Sequence, residues 1–258
     1  MSDCKQRGDR RKFLETCLKL GITASAAPFL APIEKLRASK LSRVDEEALT
    51  HQYGMGINVK ACIGCGRCVV ACKEENEVPK EPFFFRTWVE KYTLLVNGET
   101  IVSSPNGGSE GFQSDISEGE ILRSFFVPKL CNHCKNPPCV QVCPVGATFT
   151  TPDGVVLVDK DYCIGCRYCI QACPYGARYL NPITKTADKC TFCYHRLSKG
   201  LLPACVEVCP TQARIFGDTK LRSSRLTRFF RFNEIQVLKP DLNTEPQVFY
   251  ARLDGTVR

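Results

Sequence analysis

The sequence predicts an α+β fold in which short strands and short helices alternate around clustered cysteines. Three observations carry that reading. Sixteen of the 18 cysteines fall into four runs: Cys62-x2-Cys65-x2-Cys68-x3-Cys72, Cys131-x2-Cys134-x4-Cys139-x3-Cys143, Cys163-x2-Cys166-x2-Cys169-x3-Cys173 and Cys190-x2-Cys193-x11-Cys205-x3-Cys209. An apolar strand, a Gly-bearing loop and a short helix occur together at the first run and again at the third. Between the first two runs, residues 93–102 carry Asn97-Gly98 between two apolar stretches, a strong hairpin signal.

The third run reproduces the bacterial ferredoxin spacing, in which three closely spaced thiolates hold one [4Fe-4S] cube and the cysteine before proline reaches another. Proline follows the last cysteine in three runs (Pro144, Pro174, Pro210), whereas Lys73 follows Cys72. Sixteen thiolates suffice for four cubes. The predicted architecture is therefore two ferredoxin-like 2[4Fe-4S] modules in a tandem or nested arrangement, with an inserted β-hairpin. Four one-electron centres in one chain read as a wire.

In chain order, residues 1–31 carry Arg10-Arg11 ahead of a short, mildly apolar stretch and read as a twin-arginine signal peptide. That route exports folded proteins, so the clusters enter before the thiols meet an oxidising compartment. The expected location is the periplasm or the outer face of the cytoplasmic membrane. Asp9 and Glu15 depart from the usual signal pattern. Residues 32–53 read as a linker and 54–220 as the four-cluster domain. Its central module is 128–182, and its outer module joins 54–90 with 186–220. Residues 221–258 read as a partner-docking tail, where Arg222, Arg225, Arg228 and Arg231 alternate with Leu226, Phe229, Phe230 and Phe232.

Within the domain, residues 53–59 and 155–159 are the strands that lead into the first and third runs. Gly64 and Gly165 lie where the backbone must wrap a cube and aim N–H groups at sulfur. Residues 103–109 read as a polar surface loop, and the insertion as a partner-facing or covering element. Phe83, Phe84, Phe85 and Trp88 are expected to seal a cluster from water.

Of the 258 residues, 43 % are apolar and 24 % charged, ordinary for a globular protein. The formal charge of +8 does not point to nucleic acid. Residues 1–31 hold six Lys/Arg against three Asp/Glu, leaving +5 elsewhere, and each oxidised cube adds roughly −2. Beyond the signal no stretch reaches the roughly 18 apolar residues of a membrane span, so membrane contact is expected only through partners.

Applying the ferredoxin rule to the adjacent second and third runs gives one cube on Cys131, Cys134, Cys139 and Cys173 and another on Cys163, Cys166, Cys169 and Cys143. The first and last runs then pair, with Cys62, Cys65, Cys68 and Cys209 on one cube and Cys190, Cys193, Cys205 and Cys72 on the other. Spacing alone also permits pairing the first run with the second and the third with the fourth. Zinc is the chemical rival, as a zinc-binding interaction module, but three close thiols followed by Cys-Pro are not ribbon spacing. Disulfides between residues so close would cross-link little of the chain. His133 and His195 lie beside cysteines and are expected as supporting or surface groups. No catalytic residue stands out, since a cluster-bearing reductase needs an open iron site and every run is complete.

Several segments resemble the four-cluster iron-sulfur subunits of polysulfide, tetrathionate and nitrite reductases, and the subunit of the sulfite-reductase-associated membrane complex. They are Cys131-Asn132-His133-Cys134 with Asn136-Pro137-Pro138-Cys139, Cys173-Pro174-Tyr175-Gly176-Ala177-Arg178, Asp188-Lys189-Cys190-Thr191-Phe192-Cys193 and Pro203-Ala204-Cys205-Val206-Glu207-Val208-Cys209-Pro210. The resemblance covers about residues 53–250 and carries the nested ligand pairing. It implies a subunit that relays electrons between a polytopic quinone-reactive membrane subunit and a catalytic subunit, in many relatives a molybdopterin enzyme, or a multihaem cytochrome.

Overall fold

The computed structural model describes residues 51–80, 84–113 and 116–257. The expected signal peptide, most of the expected linker and Phe83 lie outside the described residues. Strand β1 (Tyr53–Asn58) is central to a four-stranded sheet in the order β10-β11-β1-β9. It pairs antiparallel with β9 (Arg214–Asp218) and parallel with β11 (Val248–Ala251), while β10 (Ile235–Gln236) adds to β11. The strand that opens the first cysteine run thus lies beside the strand that follows the last.

Alternation sorts β1. Met55 and Ile57 point into the core with 0 % exposure, and Gly54 and Gly56 leave room on the other face for the helix α6 (Arg225–Phe232). A Cβ at Gly56 would meet the Phe229 ring at 2.7 Å. Ser224 caps that helix, accepting from the Thr227 N–H at 3.2 Å. Leu226 and Phe229 are buried on the sheet and the arginines face out. Residues 221–258 therefore complete the sheet of the outer cysteine runs as well as presenting a basic helix.

The inserted hairpin, β2 (Thr87–Leu95) and β3 (Thr100–Ser103), turns at Asn97-Gly98, where Glu99 N–H bonds the Asn97 carboxamide at 2.9 Å. A third strand, β4 (Ile121–Leu130), was not legible in the sequence and pairs with β2 along its whole length. Pro128 is tolerated there because β4 is an edge strand. Its carbonyl accepts from the buried Tyr250 hydroxyl at 3.1 Å, which ties β4 to β11. Residues 105–108 form a 3-10 turn with Gly107 and Gly108 buried, so the expected surface loop folds inward over the first cysteine loop.

The remaining elements are short. They are the hairpins β5 (Thr148–Thr150) with β6 (Val156–Val158) and β7 (Arg178–Leu180) with β8 (Ala187–Lys189). The helices before α6 are α1 (Arg67–Glu75), α2 (Pro138–Gln141), α3 (Tyr168–Gln171), α4 (Tyr194–Leu197) and α5 (Ala204–Glu207). Met55, Ile57, Val69, Val89, Val127, Phe192 and Phe216 share one buried cluster with Cys68, Cys131, Cys190 and Cys205. The core and the thiol sites are the same volume, so ligation and burial stabilise together.

Candidate metal centres

The first Cys-x-x-Cys pair of each run turns on a residue in the left-handed region: Gly64 (φ 69), His133 (φ 43), Gly165 (φ 68) and Phe192 (φ 53). That turn aims both thiols at one centre and exposes N–H groups toward it. The glycines were read from sequence. His133 and Phe192 were not, although their place in the repeat was the available signal. A non-glycine residue in this region costs on the order of 1–2 kcal/mol, and both are held by packing. Their rings stack at 3.7 Å between centroids, with His133 0 % and Phe192 1 % exposed. A second left-handed position follows three residues after each Cys-Pro cysteine, at Gly146, Gly176 and Gln212.

All sixteen cysteines of the runs are free thiols. Cys62, Cys65, Cys68 and Cys209 line one cavity together with Arg214. Cys72, Cys190, Cys193 and Cys205 line another with Asn76, Arg86 and Phe192. Cys134 feels the charges of Cys131, Cys139 and Cys173, which makes a third set. The β5–β6 ladder joins the end of the second run, Cys143, to the start of the third, Cys163, where Cys166 and Cys169 follow.

Burial raises these thiols, Cys62 to about 11, Cys134 to about 12 and Cys205 to about 11, with Cys72 and Cys190 also pushed up; neighbouring thiols add to the rise, while Arg214 offsets part of it at Cys62 and Cys205. Clustered thiols that resist ionisation in isolation are a donor set that needs cationic metal to become thiolate. Cys143 behaves differently. Burial raises it, but N–H groups of Thr148, Val145 and Ala147 outweigh that and lower it. Further N–H donors reach sulfur from Phe192 to Cys190 at 3.4 Å and from Ala187 to Cys163 at 3.4 Å. The Asn76 carboxamide spans Cys72 and Cys193 at 3.6 Å each, held by Arg86 at 2.9 Å.

The thiol sets adjoin one another in sequence. Cys205 feels Cys68 of the first cavity, Cys190 feels Cys131, and Cys139 packs in one apolar cluster with Cys169. The order of contact is Cys62/65/68/209, then Cys72/190/193/205, then Cys131/134/139/173, then Cys163 and Cys169 of the third run. Among the described residues, the buried Nε donors of Arg86, Arg178 and Arg214 and the Nε2 of His133 have no hydrogen-bond partner. Donors of that kind beside thiols fit inorganic sulfide, and four-thiol cages with free N–H groups fit a cube better than a bare ion.

Only the ends of this succession are open. Cys65 and Cys166 are exposed beside Ile63 (57 %) and Ile164 (66 %), whereas the inner sets are buried apart from the partly exposed Cys173. Neither histidine acts as a ligand here. His133 Nδ1 accepts the Val156 N–H at 3.1 Å, and His195 bonds Glu75 at the surface at 2.7 Å. Of the expected covering aromatics, Phe84 stacks on Tyr179 at 4.8 Å and Phe85 lies under the Lys73 ammonium at 4.3 Å.

Two family models described as 4Fe-4S dicluster domain match, over residues 61–147 and 122–219. The B component of tetrathionate reductase from Salmonella typhimurium is 43 % identical, over 95 % of this chain and 88 % of the relative. The B component of polysulfide reductase from Wolinella succinogenes is 37 % identical, over 78 % and 94 %. Iron-sulfur subunit 1 of an Hdr-like menaquinol oxidoreductase from Archaeoglobus fulgidus is 33 % identical, over 95 % and 98 %.

Proposed function

This protein belongs to the 4Fe-4S dicluster iron-sulfur subunits that include the B component of tetrathionate reductase, and on that premise we propose how it carries electrons and between which partners. It is an electron-transfer subunit with four [4Fe-4S] clusters. When bound, each cluster supplies one reversible electron. The sixteen thiols hold them in the nested grouping given above, with the outer runs forming one module and the inner runs the other. The loop N–H groups and Asn76 donate to sulfur and favour the charged, reduced state. The aromatic and aliphatic packing excludes water from the two inner cages.

The order of contact, open at both ends, supports a relay with one partner at each end. One partner is a polytopic quinone-reactive membrane subunit. The other is a catalytic subunit, with a molybdopterin enzyme first in line, or a multihaem cytochrome, and sulfur compounds are the substrate class. The menaquinol and polysulfide named for the relatives support both assignments. The chain itself turns over no substrate, and the complete cages support that. The Arg10-Arg11 segment supports export in the folded state to the outer side of the membrane. Among the described residues no helix is long and apolar enough to cross a membrane. The exposed arginines of α6 make the C-terminal region a docking element for a partner.

The observation that carries the reading is the succession of adjoining, mostly buried thiols between the exposed Cys65 and Cys166. The test is anaerobic reduction of the purified chain, followed by assay with tetrathionate or polysulfide. Reversible reduction without sustained turnover is expected. Sustained turnover by the isolated chain would contradict the relay.

A further inference from the structure

Three buried cations have no carboxylate partner among the described residues: Arg214 (2 % exposed), Lys189 (1 %) and Arg178 (5 %). Burying a charge without an anion is costly, and the neighbouring Arg86 shows the ordinary solution, a 2.9 Å pair with Asp188. Each of the three lies instead between sulfurs of two cages. Arg214 reaches the Cys205 Sγ at 3.8 Å, and its charge also acts on Cys68 and Cys62. Arg178 reaches the Cys139 Sγ at 3.0 Å and also acts on Cys131 and Cys169. Lys189 donates to the carbonyls of Val156 and, at 2.7 Å, Cys190. Val156 packs with Cys139, so these two bonds place Lys189 between the second and third sets.

The two arginines repeat one design. Each stands five residues after a Cys-Pro cysteine, Cys173 or Cys209, as the first residue of a strand. Each gives one N–H to a thiol and another to a buried threonine, Arg214 to Thr87 at 2.7 Å and Arg178 to Thr148 at 3.3 Å, and each keeps Nε unmatched. The equivalent position after Cys143 is Thr148, the acceptor of Arg178.

We infer that one cationic side chain fills each gap between neighbouring cages, Arg214, Lys189 and Arg178 in the order of contact, and that each sets the potentials of the two clusters flanking it. The inference rests on the ligand grouping proposed above. A cation in a dry gap favours the reduced state of both neighbours, so neutralising it makes both harder to reduce.

The test is an EPR-monitored redox titration of the four-cluster protein, wild type against Arg214→Gln, Lys189→Gln and Arg178→Gln, with iron and sulfide measured on the same samples. Each variant is expected to weaken reduction of two couples about tenfold, a 59 mV fall for a one-electron couple. Arg214→Gln and Arg178→Gln move different pairs, and Lys189→Gln moves one couple from each pair. Arg178→Lys and Arg214→Lys hold the wild-type values. Where a glutamine variant loses iron, methionine at that position carries the same test, because its flexible apolar side chain suits a buried gap. Unmoved couples, four couples moving alike, or lysine variants shifting as far as glutamine would overturn the inference. Fewer than four cubes in the wild type would instead overturn the ligand grouping.

Discussion

Gly66 is the residue on which the first cage and the inserted sheet meet, and its replacement by alanine has a size that follows from geometry. Gly66 caps α1 at φ +70, and an added Cβ would stand 2.4 Å from the Gly108 carbonyl oxygen and 3.0 Å from the Ser109 Cα. Both neighbours are backbone, so neither swings away as a side chain would. Alanine in the left-handed region costs about 1–2 kcal/mol, and overpacking adds about 1–3 kcal/mol. The sum, about 2–5 kcal/mol, lowers the melting temperature of a chain this size by roughly 4–20 °C. Gly98 is the control, at φ +88 with nothing within 4 Å of its Cβ, so Gly98→Ala carries only the backbone cost. Anaerobic melts followed by visible cluster absorbance measure both. α1 supplies Cys68 to one cage and Cys72 to the next, so Gly66→Ala is expected to melt lower and bleach early. Equal melting of the two variants would refute the contact between the insertion and the first cage.

Asp188→Asn leaves Arg86 charged and unpaired in the interior and is expected to cost about 3–5 kcal/mol by denaturant titration. Burial raises the Asp188 carboxyl, but Arg86 and Tyr179 outweigh it and hold it below its ordinary range. Its stabilisation is thus complete above the unfolded value of about 3.9 and lost as pH falls through the lower folded value. Unfolding curves of wild type and Asp188→Asn should converge with acidification. Phe192→Ala removes a fully buried ring stacked on His133 and should cost about 3–5 kcal/mol, whereas Phe192→Leu should cost visibly less; equal losses would show the packing to be slack. Cys205→Ser should remove one cube while the other three persist, read as a fall in iron of about a quarter.

The sites were far more legible than the sheets that hold them. Cysteine spacing and the turn glycines Gly64 and Gly165 are local chemistry, so the sequence displays them directly. Asn97-Gly98 is local too, and the hairpin stands where it was expected. β11 pairs with β1 from nearly the far end of the chain, and no local pattern encodes that partnership. β4 was hidden by Pro128, which reads against a strand until the edge position is known. His133 and Phe192 were hidden because a left-handed turn there has no glycine, and only alignment of the four runs reveals it. Arg178 and Arg214 carried no separate signal in the sequence beyond their identical offset from Cys173 and Cys209.

The most direct measurement is iron, zinc and acid-labile sulfide per chain after anaerobic reconstitution, together with spin integration after dithionite reduction. Four thiol cages filled by cubes predict about sixteen irons, about sixteen sulfides and close to four spins in each molecule. About four zinc ions with no sulfide and no paramagnetism would contradict the account at its root.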